Sequence, residues 1–66
     1  MIISMKKGAP QEEINKLVRS FEEMGLSVTT IYGEDYNVFG LVGDTTRVDE
    51  TQIAVNPYAD TVTRVS

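Results

Sequence analysis

Apolar residues recur at Ile14, Leu17, Val18, Phe21 and Met24, in steps of three and four that trace one face of an α-helix. Pro10 suits the first helical position, because its missing N–H is an orphan there anyway. Glu12 and Glu13 fall in the first turn, where the helix dipole favours negative charge. Gly25 stands where a left-handed C-terminal cap belongs. The pattern predicts a helix over residues 10–24.

Elsewhere the period is two. Ile2 to Met5 is a short apolar, β-branched run closed by Lys6-Lys7-Gly8, a strand followed by a turn. From Leu26 to Tyr32 the chain alternates, with Leu26, Val28, Thr30 and Tyr32 on one side and Ser27, Thr29 and Ile31 on the other. Gly33-Glu34-Asp35 is a turn, and Asn37 to Val42 is the returning strand of a hairpin, broken by Gly43-Asp44-Thr45-Thr46. Gly40 is assigned to close backbone approach and Gly43 to the turn. Asp49 and Gln52 have the spacing of a capping box. They open a short helix over residues 50–55 that carries Val48, Ile53 and Val55 inward, until Asn56-Pro57 ends it. Thr61 to Val65 is a last alternating strand, with Val62 and Arg64 on one side.

The order is β-α-β-β-α-β. Two split β-α-β units give an α+β, ferredoxin-like sandwich: a four-stranded antiparallel sheet with two helices on one face. The other face is left open, and in water its alternate positions should be polar. Ser27, Thr29, Thr61 and Thr63 meet that expectation. The first and third strands, central in this topology, do not. Ile2 and Ile3 are adjacent, so one points each way, and Val38, Phe39, Leu41 and Val42 populate both faces. The centre of the open face is therefore apolar, through Phe39 and Leu41 or else through Val38 and Val42. A patch of that kind marks an interaction site. Ile2, Phe39 and Leu41 are the expected contacts with a partner.

Size strengthens the case for a partner. The chain has 66 residues, one domain with room for little else. A domain this small buries only about 60% of the surface its unfolded chain exposes. Small scaffolds need a disulfide, a metal or a partner. The sequence has no Cys and no His, which removes disulfides, thiolate metal sites and the commonest general base. A net charge of −4 opposes binding to nucleic acid and to anionic membrane. No apolar run approaches the roughly 20 residues of a membrane helix, and Met1 to Lys7 is not a signal peptide. The expected compartment is the cytoplasm.

Candidate chemistry is sparse. The Ser and Thr residues have no activating base. The acidic pairs Glu12/Glu13, Glu22/Glu23, Glu34/Asp35 and Asp49/Glu50 lie at helix ends and turns, as capping and solvated charge. Gly40-Leu41-Val42-Gly43 has the Gly-x-x-Gly spacing of an RNA-clamping loop, but it lies in a strand with no basic residue. The first loop, Lys7-Gly8-Ala9-Pro10, lacks the Arg of acylphosphatases of this fold. The chain by itself is read as non-catalytic.

The opening Met1-Ile2-Ile3-Ser4-Met5-Lys6-Lys7-Gly8, the helix start Gln11-Glu12-Glu13-Ile14, and Gly33 followed by Val38-Phe39-Gly40-Leu41-Val42-Gly43-Asp44 together resemble one family. It is the N-terminal ferredoxin-like, ACT-like regulatory domain of one class of DAHP synthase. The resemblance covers essentially the whole chain, residues 1–66, and implies a domain cut from a longer enzyme. In the family a catalytic (β/α)8 barrel follows. It condenses phosphoenolpyruvate with erythrose 4-phosphate on the way to chorismate and uses a divalent metal. The small domain itself takes no cofactor. It senses an aromatic amino acid, tyrosine or phenylalanine, and brings regulatory domains of different subunits of a homo-oligomer together over the barrel mouths. This is feedback inhibition by population shift. The two polar positions that contact a tyrosine hydroxyl in the family align with Thr29 and Ile31. Ile31 cannot hydrogen-bond through its side chain, which turns the expectation towards phenylalanine or another effector.

Overall fold

The computed structural model describes residues 1–64. Its elements are β1 (Ile2–Lys6), α1 (Gln11–Glu23), β2 (Ser27–Tyr32), β3 (Tyr36–Val42), α2 (Glu50–Ala54) and β4 (Ala59–Thr63). They build one antiparallel sheet in the order β2-β3-β1-β4, the ferredoxin-like arrangement. β1 and β3 are central, with Ile3 opposite Phe39, while Val62 of β4 flanks Ile3 on the other side. Met1 extends the pairing: the Leu41 N–H donates to the Met1 carbonyl at 2.8 Å. The register of β1 on β4 slips by one residue between Ser4 and Met5.

Both helices cover the same face of the sheet. The core joins Met1, Ile3 and Met5 of the first strand, Phe39 and Leu41 of β3, Ile14 and Phe21 of α1, Leu26, Val48 and Ile53. Alternation along the strands is what lets one face collect all of these side chains.

The helix ends show how the sequence sets the elements. Gly25 has φ +86. The Gly25 N–H donates to the Glu22 carbonyl at 2.9 Å and the Leu26 N–H to the Phe21 carbonyl at 3.1 Å, the paired bonds of a Schellman cap. At the other end Pro10 is the cap residue and not the first helical residue. It is extended, with ψ 143, and its carbonyl accepts from Glu13 and Ile14. In α2 the Asp49 carboxylate accepts from the Thr51 and Gln52 N–H groups at 2.9 and 3.4 Å.

Four expectations shift. Val55 is exposed, not inward. It is the C-cap of a helix of five residues and lies about 200° round the axis from Ile53. β3 starts one residue early, at Tyr36, because the Gly33 N–H donates to the Tyr36 carbonyl at 2.9 Å and closes the hairpin there. β4 starts at Ala59, after an Asn56 turn in which the side-chain oxygen accepts from the Tyr58 N–H at 2.9 Å. The predicted end of that strand, Val65, lies outside the described residues. Finally, a Cβ on Gly40 would find its nearest neighbour 3.9 Å away, so close backbone approach does not explain that glycine. Gly43, with φ +131, does carry the turn.

Candidate functional site on the open sheet face

The face of the sheet opposite the helices is assembled from the outward halves of four alternating strands. The register sets its rows. Thr29, Gly40, Ile2 and Thr63 lie side by side across β2, β3, β1 and β4. The next row is Ile31, Val38, Ser4 and Thr61. Ser27 flanks Val42 beyond one end, and Lys6 flanks Tyr36 at the other.

Ile2 is 45% exposed, Ile31 60% and Val42 65%; Tyr36 is exposed and Val38 half-buried. Ile2, Val38 and Val42 flank Gly40, which contributes no side chain, and Ile31 and Tyr36 continue the apolar surface in the next two rows. The result is an exposed apolar patch with Ser and Thr residues at its borders. Exposed β-branched residues on a sheet face in a chain this small are costly unless something covers them. The cation on this face is Lys6, whose ammonium lies 3.5 Å from the Pro57 carbonyl at the rim.

The expected effector residues, Thr29 and Ile31, stand on this face in adjacent rows, and Ile2 stands beside them. Phe39 and Leu41 do not. They are 1% and 4% exposed and point into the core beneath the helices. The reason is register: Phe39 pairs with the core residue Ile3, so its parity is that of the helix face. The apolar side chains that β3 presents on the open face are instead Val38 and Val42, the other option that the strand's pattern left open. Tyr36 is an addition. The signal for it was in the sequence, since Tyr36, Val38, Gly40 and Val42 keep a period of two; placing the turn one residue too far along hid it.

The electrostatics are quiet. Asp44, at the end of β3, has its carboxyl held below the usual carboxylate range. The chief cause is the Thr46 hydroxyl, which donates to it at 2.6 Å, joined by the Thr46 N–H at 3.1 Å and the Arg47 charge. Among the described residues no group of three or more Asp, Glu, His or Cys is placed to hold a metal ion. Among the described residues no helix is long and apolar enough to cross a membrane.

Comparison with known proteins relates the chain to one family and to solved structures. The family model described as the DAHP synthase ferredoxin-like domain matches residues 1–66. The crystal structure of phospho-2-dehydro-3-deoxyheptonate aldolase (DAHP synthase) from Thermotoga maritima superposes with a TM-score of 0.83 at 28% identity, covering 98% of this chain. The chain spans only 19% of the length of that solved relative. No curated protein matches.

Proposed function

The chain belongs to the family of DAHP synthase ferredoxin-like domains, and from that premise we propose that it is the regulatory module of such an enzyme, closing its open sheet face on the same face of a second regulatory domain. The observation that carries the reading is the exposed apolar patch of Ile2, Ile31, Val38, Val42 and Tyr36 around and beside Gly40. Two such patches face to face, each with no side chain at Gly40, enclose an apolar space, which one alone does not. An aromatic amino acid filling that space beside Thr29 and Ile31 binds the associated arrangement better than the separated one, and so shifts the population towards it. In the parent enzyme the associated domains sit over the barrel mouths and hinder substrate entry.

Ile31 directs the effector side chain. A phenol O–H buried against it would lose its water without gaining a partner, so phenylalanine is favoured over tyrosine. The experiment is sedimentation of the chain with and without each amino acid. Phenylalanine is expected to raise the self-association constant, and Ile31→Lys is expected to abolish association. Association that neither amino acid changes would sink the sensing reading. A chain that remains monomeric at every concentration with both would sink the docking reading as well.

One observation favours a second reading, a docking module that senses nothing. Among the described residues, apart from Lys6 at its rim, the face offers no charged group to an amino acid's carboxylate and ammonium. In that case Val42→Lys and Ile31→Lys weaken association equally in the presence and absence of effector.

A further inference from the structure

The polar partners missing from the open face are present on the other side of the molecule. Between α1 and the segment of α2 runs a slot of about 290 Å³. One wall is the apolar stripe of α1, Leu17, Phe21 and Met24; the other carries Arg47, Asp49, Gln52 and Asn56. Two helices on one sheet normally close dry against each other. Here Asp49, Gln52 and Asn56 line the slot beside the buried Val48 and Ile53, so polar side chains stand opposite α1. The apolar wall is only partly covered: Phe21 is buried, but Leu17 is half-buried and Met24 is exposed.

The polar wall carries three donor side chains, Arg47, Gln52 and Asn56, beside the Asp49 carboxylate. Asp49 spends one oxygen capping α2, and the Asn56 oxygen is taken by the Tyr58 N–H, which leaves the Asn56 amide hydrogens to the slot. Arg47 and Gln52 both line the slot, and the Arg47 charge also acts on Asp44. A guanidinium and two amides opposite an apolar stripe match a carboxylate on an apolar body. The volume is at the lower edge of small-molecule pockets, so it suits one amino-acid-sized compound and nothing larger.

We propose that this slot is a binding site for a small carboxylate with an apolar body, its carboxylate on Arg47 and its apolar part along Leu17, Phe21 and Met24. The site is separate from the open face and stands or falls independently of the reading of that face. Bound there, the ligand bridges the two helices, which otherwise touch little except through the sheet.

The test is an NMR titration of the 66-residue chain, following backbone amides, with 3-phenylpropionate, L-phenylalanine and L-phenylalaninamide. Saturable millimolar shifts at Met24, Arg47 and Gln52 are expected with the first two and not with the amide, which has no carboxylate. Arg47→Gln, a change at an exposed position, is expected to weaken binding roughly tenfold, the loss of one charge-assisted bond. Gln52→Leu removes an amide from the polar wall and is expected to weaken binding while leaving the fold intact. Shifts confined to Thr29 and Ile31, equal shifts with the amide, unchanged affinity in Arg47→Gln, or no saturable shift would each overturn the proposal.

Discussion

The Leu26 N–H donates to the Phe21 carbonyl at 3.1 Å across Gly25, and both side chains are buried in the core. The cap that ends α1 therefore also fixes the point at which β2 enters the sheet. Its cost falls on Gly25, held at φ +86 with nothing within 4 Å of where a Cβ would stand. Gly25→Ala is expected to destabilise the domain by about 1–2 kcal/mol from backbone conformation alone. Gly25→Asn should lose less, because Asn tolerates the left-handed region. Gly43→Ala adds a second penalty, since its Cβ would lie 3.0 Å from the Leu26 Cδ2. Urea unfolding at constant m checks the order Gly43→Ala worst, Gly25→Ala next, Gly25→Asn mildest.

The two faces of β3 give opposite responses. Phe39→Ala empties the centre of the core and is expected to cost about 3–5 kcal/mol, most of the stability of a domain this small. Val42→Thr, on the open face of the same strand, is expected to change monomer stability by less than about 0.5 kcal/mol. Circular dichroism melts at low concentration separate these outcomes. A strongly destabilising Val42→Thr with a tolerated Phe39→Ala would mean that the strand is turned over.

That contrast marks where the sequence was legible. The order of elements, the sheet and the α1 face follow from periodicity and from a few punctuating residues, Pro10, Gly25, Asp49 and Pro57. The apolar face of β3 could not be read, because Val38, Phe39, Leu41 and Val42 alternate without a polar partner between them; pairing with Ile3 decides it, and pairing is non-local. Val55 was misjudged for a related reason: a five-residue helix is too short for apolar spacing to define a face. The polar wall opposite α1 was hidden likewise, since Asp49 and Asn56 are each explained by their own turns.

Asn37 is buried within the core-facing row between Met5 and Tyr32, and its side-chain oxygen has no partner. A buried acceptor without a donor costs about 1–3 kcal/mol of lost hydration. Asn37→Leu, similar in volume, removes that cost. It is expected to raise the urea midpoint, with a gain of up to about 1 kcal/mol after repacking. A lower midpoint would mean that the amide is satisfied by a bound water.

Asp44 supplies the pH dependence. Its carboxylate form is favoured in the folded chain, through the Thr46 hydroxyl first, the Thr46 N–H second and Arg47 last. A folded pKa below the unfolded value means that this contribution is fully present above the ordinary carboxylate range. It is lost as the pH falls through the lowered folded pKa. Thr46→Val removes the largest cause, and the Asp44 carboxyl should then titrate closer to its usual pKa of 3.8. A carbon-detected NMR titration of the side chain reads this directly; an unmoved titration midpoint would assign the shift to the backbone bond and Arg47.

Arg64 ties the end of the sheet to the loop before α2. One guanidinium nitrogen donates to the Thr45 carbonyl at 2.9 Å and the other terminal nitrogen to the Val48 carbonyl at 3.1 Å, while Glu50 lies 3.4 Å from Nε. The ion pair is solvent-exposed on both sides and contributes little. The two carbonyl bonds are charge-assisted and need a planar fork, which an ammonium cannot provide. Arg64→Lys and Arg64→Ala are therefore expected to cost similar amounts, about 1–2 kcal/mol, whereas Glu50→Gln should stay below about 0.5 kcal/mol. Amide exchange at Val48, whose N–H donates to the same Thr45 carbonyl at 3.0 Å, should accelerate in both Arg64 variants. If Arg64→Lys keeps wild-type exchange and Glu50→Gln does not, charge and not the fork holds the loop.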